Sequence, residues 1–413
     1  LKTLTYLSFI IAFIGPTNAF GQQDAGSVQP ALSFNYADSA PVDSANQRDL
    51  LDLIHGILDS KQSTYATNKK KRKSFLSVVP YAGYTLSTGF TADISGNIGF
   101  YSSKSHQENL SFVAVDLGYD SKSQKILLSR SEIWTPHNDY KIVSDLRFER
   151  FPTDTYGLGT FTSFDNDNEI DYNYLRIYET LLRKIGGNFY GGIGYNLDYH
   201  YNITASGNPD KTVSDFQKYG QTSSSRSSGL TLNFLFDNRK NALNPLGGTY
   251  ASIILRENST NLGSDAAWQS LQLDVRKYIR LSAQSNNVLA LWGMASFTNG
   301  NVPYLDLPST GGDMYNNSGR GYALGRFRGR DMLYIEGEYR FGITKNGLLG
   351  AVIFANGESF TEFNSNTFQK IAPAGGTGIR IKLNKHSNTN ICIDYGVGVG
   401  GSRGFFVNLG EVF

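Results

Sequence analysis

From about Ser74 to Phe413 the chain alternates apolar and polar positions with a period of two, segment after segment, with turn residues between. In residues 189–202 one parity gives Phe189, Gly191, Ile193, Tyr195, Leu197, Tyr199 and Tyr201; the other gives Tyr190, Gly192, Gly194, Asn196, Asp198, His200 and Asn202. Leu271, Leu273, Val275 and Ile279 likewise oppose Gln272, Asp274 and Arg276, and Ile335, Gly337, Tyr339 and Phe341 oppose Tyr334, Glu336, Glu338 and Arg340. Successive side chains of a strand point to opposite faces, so this pattern predicts a sheet with one apolar and one polar face. Strands are expected near 75–86, 89–102, 108–119, 123–134, 139–152, 168–184, 187–203, 226–238, 249–260, 265–281, 286–298, 330–342, 347–357, 376–384, 390–399 and 404–413. An even number, about sixteen, with the apolar face turned to lipid and the polar face to a lumen, predicts an all-β fold, a transmembrane antiparallel β-barrel. A bilayer offers no water to free edge groups, so such a sheet must close on itself.

The first 73 residues carry a different pattern. Lys2, the apolar run Tyr6 to Ile14 and small residues around Ala19 have the layout of an export signal over residues 1–21, although the chain starts at Leu1 and not at Met. Residues 22–73 read as a tether, first without period and rich in Ala, Ser, Asp, Gln and Pro. Within it Leu50, Ile54, Ile57 and Leu58 fall on one face of a short amphipathic helix over Asn46 to Ser60. Docking on the barrel's periplasmic rim or in its lumen is favoured over a membrane-surface role. Lys69-Lys70-Lys71-Arg72-Lys73 then forms a basic collar before the barrel of residues 74–413, solvated or drawn to anionic headgroups.

Composition narrows the field. Hydrophobic residues make up 40% and no later stretch approaches the ~18 apolar residues of a helical span. Aromatics at 13% and 44 Gly suit strands with Tyr and Phe girdles and tight turns. A net charge of +2 gives no basic field for nucleic acid. The single cysteine, Cys392, cannot form an internal disulfide, and no Cys follows the apolar run, which argues against a lipoprotein anchor. His55, His106, His137, His200 and His386 are scattered, with no metal-ligand spacing and no nucleophile context, so neither an enzyme nor a metal or other cofactor is expected.

Three stretches carry more than pattern. Phe236-Asp237-Asn238-Arg239 is followed by Asn244-Pro245 and Gly247-Gly248-Thr249-Tyr250, where Pro245 and Gly248 make a tight turn and Asp237 can pair with Arg239 beside it. The connection from about Gly300 to Gly329 is long for a compact barrel and holds Gly319-Arg320-Gly321-Tyr322 and Gly325-Arg326-Phe327-Arg328-Gly329-Arg330. The third is Phe151-Pro152 with Tyr156-Gly157-Leu158-Gly159 and the glycine-rich strand Gly186 to Tyr195. Together they resemble the BamA/TamA-like, bacterial surface antigen family of barrel-assembly proteins, over essentially Ser74 to Phe413. The resemblance implies a loop folded back into the barrel, with Arg320 at its tip facing an acidic wall residue. Where family members often carry Asp before the Gly of a later strand, this chain has Asn356-Gly357, and Glu336 and Glu338 become the expected partners of Arg320.

The terminal strand resembles a targeting signal, with Phe405, Val407, Leu409 and Phe413 on one parity and Glu411 interrupting it. The space between the signal and Ser74 is too short for even one of the periplasmic polypeptide-transport-associated domains that the family commonly carries. The resemblance implies an integral outer-membrane protein that assists insertion or translocation of outer-membrane or surface proteins through a seam between its first and last strands. Its partners would be membrane lipid, client proteins or a separate periplasmic protein. Glycines in the terminal strand lower the cost of opening such a seam. The alternative is a closed scaffold barrel that anchors a periplasmic or surface partner and moves nothing, since a fold does not establish transport. A passive pore would be blocked by an inward loop, so low conductance is expected.

Overall fold

A computed structural model describes residues 47–50, 52–53, 74–85, 89–104, 108–282, 285–362, 365–368 and 370–413. The expected export signal, the aperiodic part of the tether, most of the expected helix and the basic collar lie outside the described residues.

The chain forms one 17-stranded antiparallel sheet. Its strands are β1 (Ser74–Thr85), β2 (Gly89–Phe100), β3 (Ser111–Asp120), β4 (Lys125–Trp134), β5 (Tyr140–Arg150) and β6 (Thr153–Thr155). They continue as β7 (Asn168–Gly186), β8 (Phe189–Ala205), β9 (Ser224–Asp237), β10 (Gly248–Asn258), β11 (Trp268–Arg280) and β12 (Val288–Gly300). The last five are β13 (Asp331–Gly342), β14 (Leu349–Phe360), β15 (Ala372–Asn384), β16 (Thr389–Gly398) and β17 (Arg403–Leu409). Each expected strand has its counterpart. The addition is β6, which prolongs β5 against β7 after an interruption at Pro152, whose ring nitrogen has no hydrogen to give the ladder.

Ladders join strands that follow one another along the chain, from β1–β2 to β16–β17. The edge strands β1 and β17 approach each other, but among the described residues no ladder pairs them. The faces divide as the alternation requires. Ile193 and Ile335 are 70% and 66% exposed, whereas Asp198, His200, Glu336, Glu338 and Arg340 are buried. An apolar exterior around an ionic interior is the inverse of a soluble protein and matches a strand wall with lipid outside. No helix among the described residues is long and apolar enough to cross a membrane.

The expected terminal strand over 404–413 ends at Leu409. Gly410 adopts φ +100°, a left-handed conformation that side chains disfavour, and the chain leaves the sheet there. Phe405 remains on the exposed face. Val407 and Leu409, on the same parity, are partly buried. Phe413 does not continue that row: it turns into the lumen against Tyr278 and Trp292, with Arg340 donating to its main-chain oxygen at 2.9 Å. Six residues before β1 are also placed on the barrel. Asp49 accepts from the Asp52 and Lys385 main-chain N–H groups, each at 2.9 Å, and the Arg48 N–H donates to Asn346. This segment therefore lies across the β13–β14 and β15–β16 turns.

Candidate functional site

The connection between β12 and β13 folds into the lumen and is held on opposite walls. Asp313 shapes its inner end, accepting from the N–H groups of Tyr315, Asn317 and Ser318. From there Tyr315 donates through its hydroxyl to Glu132 on β4 at 3.0 Å. Arg147 on β5 donates to the Met314 carbonyl and to the Asn316 side chain, both at 2.8 Å. Asn317 donates to the Val412 carbonyl at 2.7 Å.

Arg320 sits at the centre of this arrangement and is 1% exposed. Its guanidinium donates to Glu336 and Glu338 on β13 and to Asp394 on β16, and lies 3.8 Å from the centroid of the Phe354 ring. The two glutamates are those expected from the sequence. Asp394 was not foreseen; it lies far along the chain, although its place between Ile393 and Tyr395 in an alternating strand marks it as inward. Asn356, at the position where the family often has Asp, donates instead to the Arg320 carbonyl at 2.9 Å. The network extends through Arg340 and Arg380, which pair with Glu338, Asp394 and Glu411. Three guanidinium groups thus meet four carboxylates in a wall where an unpaired charge would be costly.

The neighbouring motif residues fit the loop into its seat. Gly319 and Gly321 take φ +80° and +110°, and a Cβ on Gly321 would lie 2.8 Å from the Ala374 Cβ. Tyr322 donates to the Pro373 carbonyl at 2.7 Å and accepts from the Val399 N–H at 3.0 Å. Farther out, Arg326 donates twice to Thr162, stacking on Phe164 and Tyr156, while Arg328 donates to the carbonyls of Tyr304, Leu305 and Leu307. Arg326 thus ties the loop to the β6–β7 connection, while Arg328 braces the loop against itself. Below the lid, two cavities of about 280 Å³ each remain, and Tyr315 lines both.

At the other end the turn signature forms a second ionic knot. Arg239 donates from Nε and Nη2 to Asp237, each at 2.9 Å, and Lys141 bridges Asp237 and Glu132. Pro245 is buried. Gly248 has φ +109°, and a Cβ there would meet Asn238 Oδ1 at 2.9 Å. Among the described residues no cluster of His, Cys, Asp and Glu has the geometry to hold a metal ion.

A family model described as the Omp85 superfamily domain matches residues 110–405, which include the turn-signature knot, the inward loop and every member of the Arg320 network except Glu411. The chain belongs to the Omp85 superfamily. This Omp85 barrel is therefore an integral outer-membrane protein and not an enzyme. Among solved structures it is similar to BamA from Haemophilus ducreyi lacking POTRA domains 1–3, at 14% identity and a TM-score of 0.50, over 87% of this chain and 76% of that one. It is similar to CdiB from Acinetobacter baumannii at 14% identity and a TM-score of 0.51, over 83% of this chain and 60% of that one. CdiB from Escherichia coli gives 10% identity and a TM-score of 0.50, over 81% and 62%. The Omp85 chain thus spans about three fifths of either CdiB chain. At these identities the likeness is one of fold. No curated protein matches the chain.

Proposed function

We propose that this Omp85 barrel assists the insertion or translocation of outer-membrane or surface proteins, and that clients engage it at the seam between β1 and β17. The observation that carries the reading is the seam itself. β17 has 7 residues, fewer than the roughly 9–11 of a membrane-crossing strand. Its outer edge, like that of β1, has no ladder partner among the described residues. In a bilayer such an edge is a strong template, because a client strand that adds to it satisfies main-chain groups that lipid cannot.

The lid supports the same route. With the inward loop seated on the wall by Arg320 and on the β6–β7 connection by Arg326, axial passage for a client is narrowed and the sideways exit remains. The BamA and CdiB neighbours have barrels of this fold, and an assembly or secretion role comes to this chain by that analogy. A separate periplasmic protein would deliver the client.

The test is photo-crosslinking in cells from a probe at Val78 on β1 and at Leu409 on β17, with adducts identified by mass spectrometry. Adducts to nascent outer-membrane proteins are expected at both positions. Adducts only to lipid, or to one partner in fixed stoichiometry, would overturn the reading in favour of a closed scaffold barrel.

A further inference from the structure

The β9–β10 turn, residues 238–247, does more than reverse the chain. It reaches across the mouth of the barrel and touches both flanks of the seam. Toward β1 it offers its apolar side: Leu243 is buried with Leu110 and Phe112, Phe75 of β1 packs on the same cluster, and the Leu110 N–H donates to the Lys240 carbonyl. Toward β17 it offers polar groups. The Glu411 N–H donates to the Leu243 carbonyl at 2.7 Å. Asn241 and Asn244 donate from Nδ2 to the carbonyls of Ser387 and Asn388 in the β15–β16 turn, at 2.8 and 3.0 Å.

The turn is braced by its own hydrogen bonds. Asn241 Oδ1 accepts from the N–H groups of Leu243 and Asn244, which fixes the main chain at Leu243. Its root is anchored by the Arg239 fork on Asp237 and by Lys141 behind it. Phe75 stacks on His386 with ring centroids 5.9 Å apart, at the same end of the seam.

We propose that this turn is the latch of the seam, a positioning element in which Leu243 holds the β1 flank and Asn241, Asn244 and the Leu243 carbonyl hold the β17 flank. The inference rests on the reading of the seam as the client site. It adds that opening is governed from a turn outside both seam strands: while Leu243 is seated β1 and β17 stay together, and when it leaves they part from the turn end upward.

Hydrogen exchange of the full chain in lipid nanodiscs, followed by mass spectrometry, tests this. In Leu243→Ala, amides of β1 and β17 should exchange at least roughly tenfold faster than in the unaltered protein, because a buried leucine anchor is lost and local opening becomes more frequent. Those of β7 and β8, on the far wall, should keep their rates. Asn241→Ala combined with Asn244→Ala removes the side-chain bonds to Ser387 and Asn388 together with the Asn241 bonds that shape the turn, and decides the question if Leu243→Ala does not yield a folded, heat-modifiable barrel on gels. Leu243→Met should restore slow exchange. Unchanged β1 and β17 rates, or an equal rise in β7 and β8, would overturn the latch.

The crosslinking at Val78 and Leu409, run on the same variants, separates the two ideas. Faster exchange with no client adducts in any background leaves the latch standing and removes the client reading. Client adducts in the unaltered protein, with exchange unaffected by the variants, do the reverse.

Discussion

Arg320, at the tip of an inward loop, donates its guanidinium to Asp394 of β16, a residue 74 positions away that lies one strand from the seam. The same guanidinium holds Glu336 and Glu338, so a single side chain joins the lid to two separate strands of the wall. Removing it as Arg320→Ala leaves Glu336 buried without its cation, while Glu338 and Asp394 keep Arg340 and Arg380, and breaking a buried pair in this way ordinarily costs about 3–5 kcal/mol. The loop over 301–330 should then become protease-sensitive while the barrel remains folded. Arg320→Lys should protect it only in part, because one ammonium cannot reproduce a fork toward three acceptors. Unchanged protection in Arg320→Ala would show that the lid is held by its outer arginines alone.

Gly396 makes a sharper steric test of the same seat. A Cβ there would lie 2.8 Å from the Gly321 nitrogen and 3.0 Å from its Cα, contacts with main chain that cannot rotate away. Gly396→Val should displace the loop tip, cost about 1–3 kcal/mol through overpacking and raise loop cleavage without removing any charge. Gly293, with open space at the Cβ position, is the control: Gly293→Ala should leave cleavage unaltered.

How much of this was legible beforehand follows from the range of each interaction. The strands were readable because period two is local: Ile193 and Asp198 declare their faces within one segment, and the outcome agrees with them. Arg320 stood out through its flanking glycines, and its partners on β13 are the first inward carboxylates after the loop. Asp394 was hidden, since only the placing of β16 beneath the loop tip reveals it. Phe413 misled for the opposite reason. Its parity fits a strand, but Gly410 breaks the strand first, and the aromatic side chain packs on Trp292 in the lumen. The reach of Leu243 to both seam flanks is likewise invisible in a turn signature, which specifies the local bend and not what lies opposite.

Tyr315 bounds two cavities within the lumen and is tethered to Glu132. An inward loop that divides the interior should keep conductance low, so the protein in planar bilayers should show only small currents. Tyr315→Ala removes the partition and the hydroxyl contact together, and should raise single-channel conductance severalfold. Large currents from the unaltered protein would mean that the loop does not occupy the lumen in a membrane.

Asp306 gives the lid a pH dependence with a definite sign. It sits in the short turn Tyr304–Asp306, accepts from Ser227 at 2.6 Å and faces His200 Nδ1 at 3.6 Å, with Asp198, Arg256 and Arg176 around it. Burial, followed by repulsion from Asp198, pushes its carboxyl up to about 7, outweighing Arg256 and Arg176. A carboxyl whose pKa is higher in the folded state than the ordinary value near 3.8 favours folding while it is protonated, and that contribution falls as pH rises from about 4 to about 7. Hydrogen exchange over residues 303–310, corrected for the intrinsic dependence on pH, should therefore be slower at pH 5 than at pH 8. Asp306→Asn, which keeps the shape and cannot ionise, should hold the slow rate at both. A pH effect that persists in Asp306→Asn would assign the titration to another group and overturn the reading of Asp306.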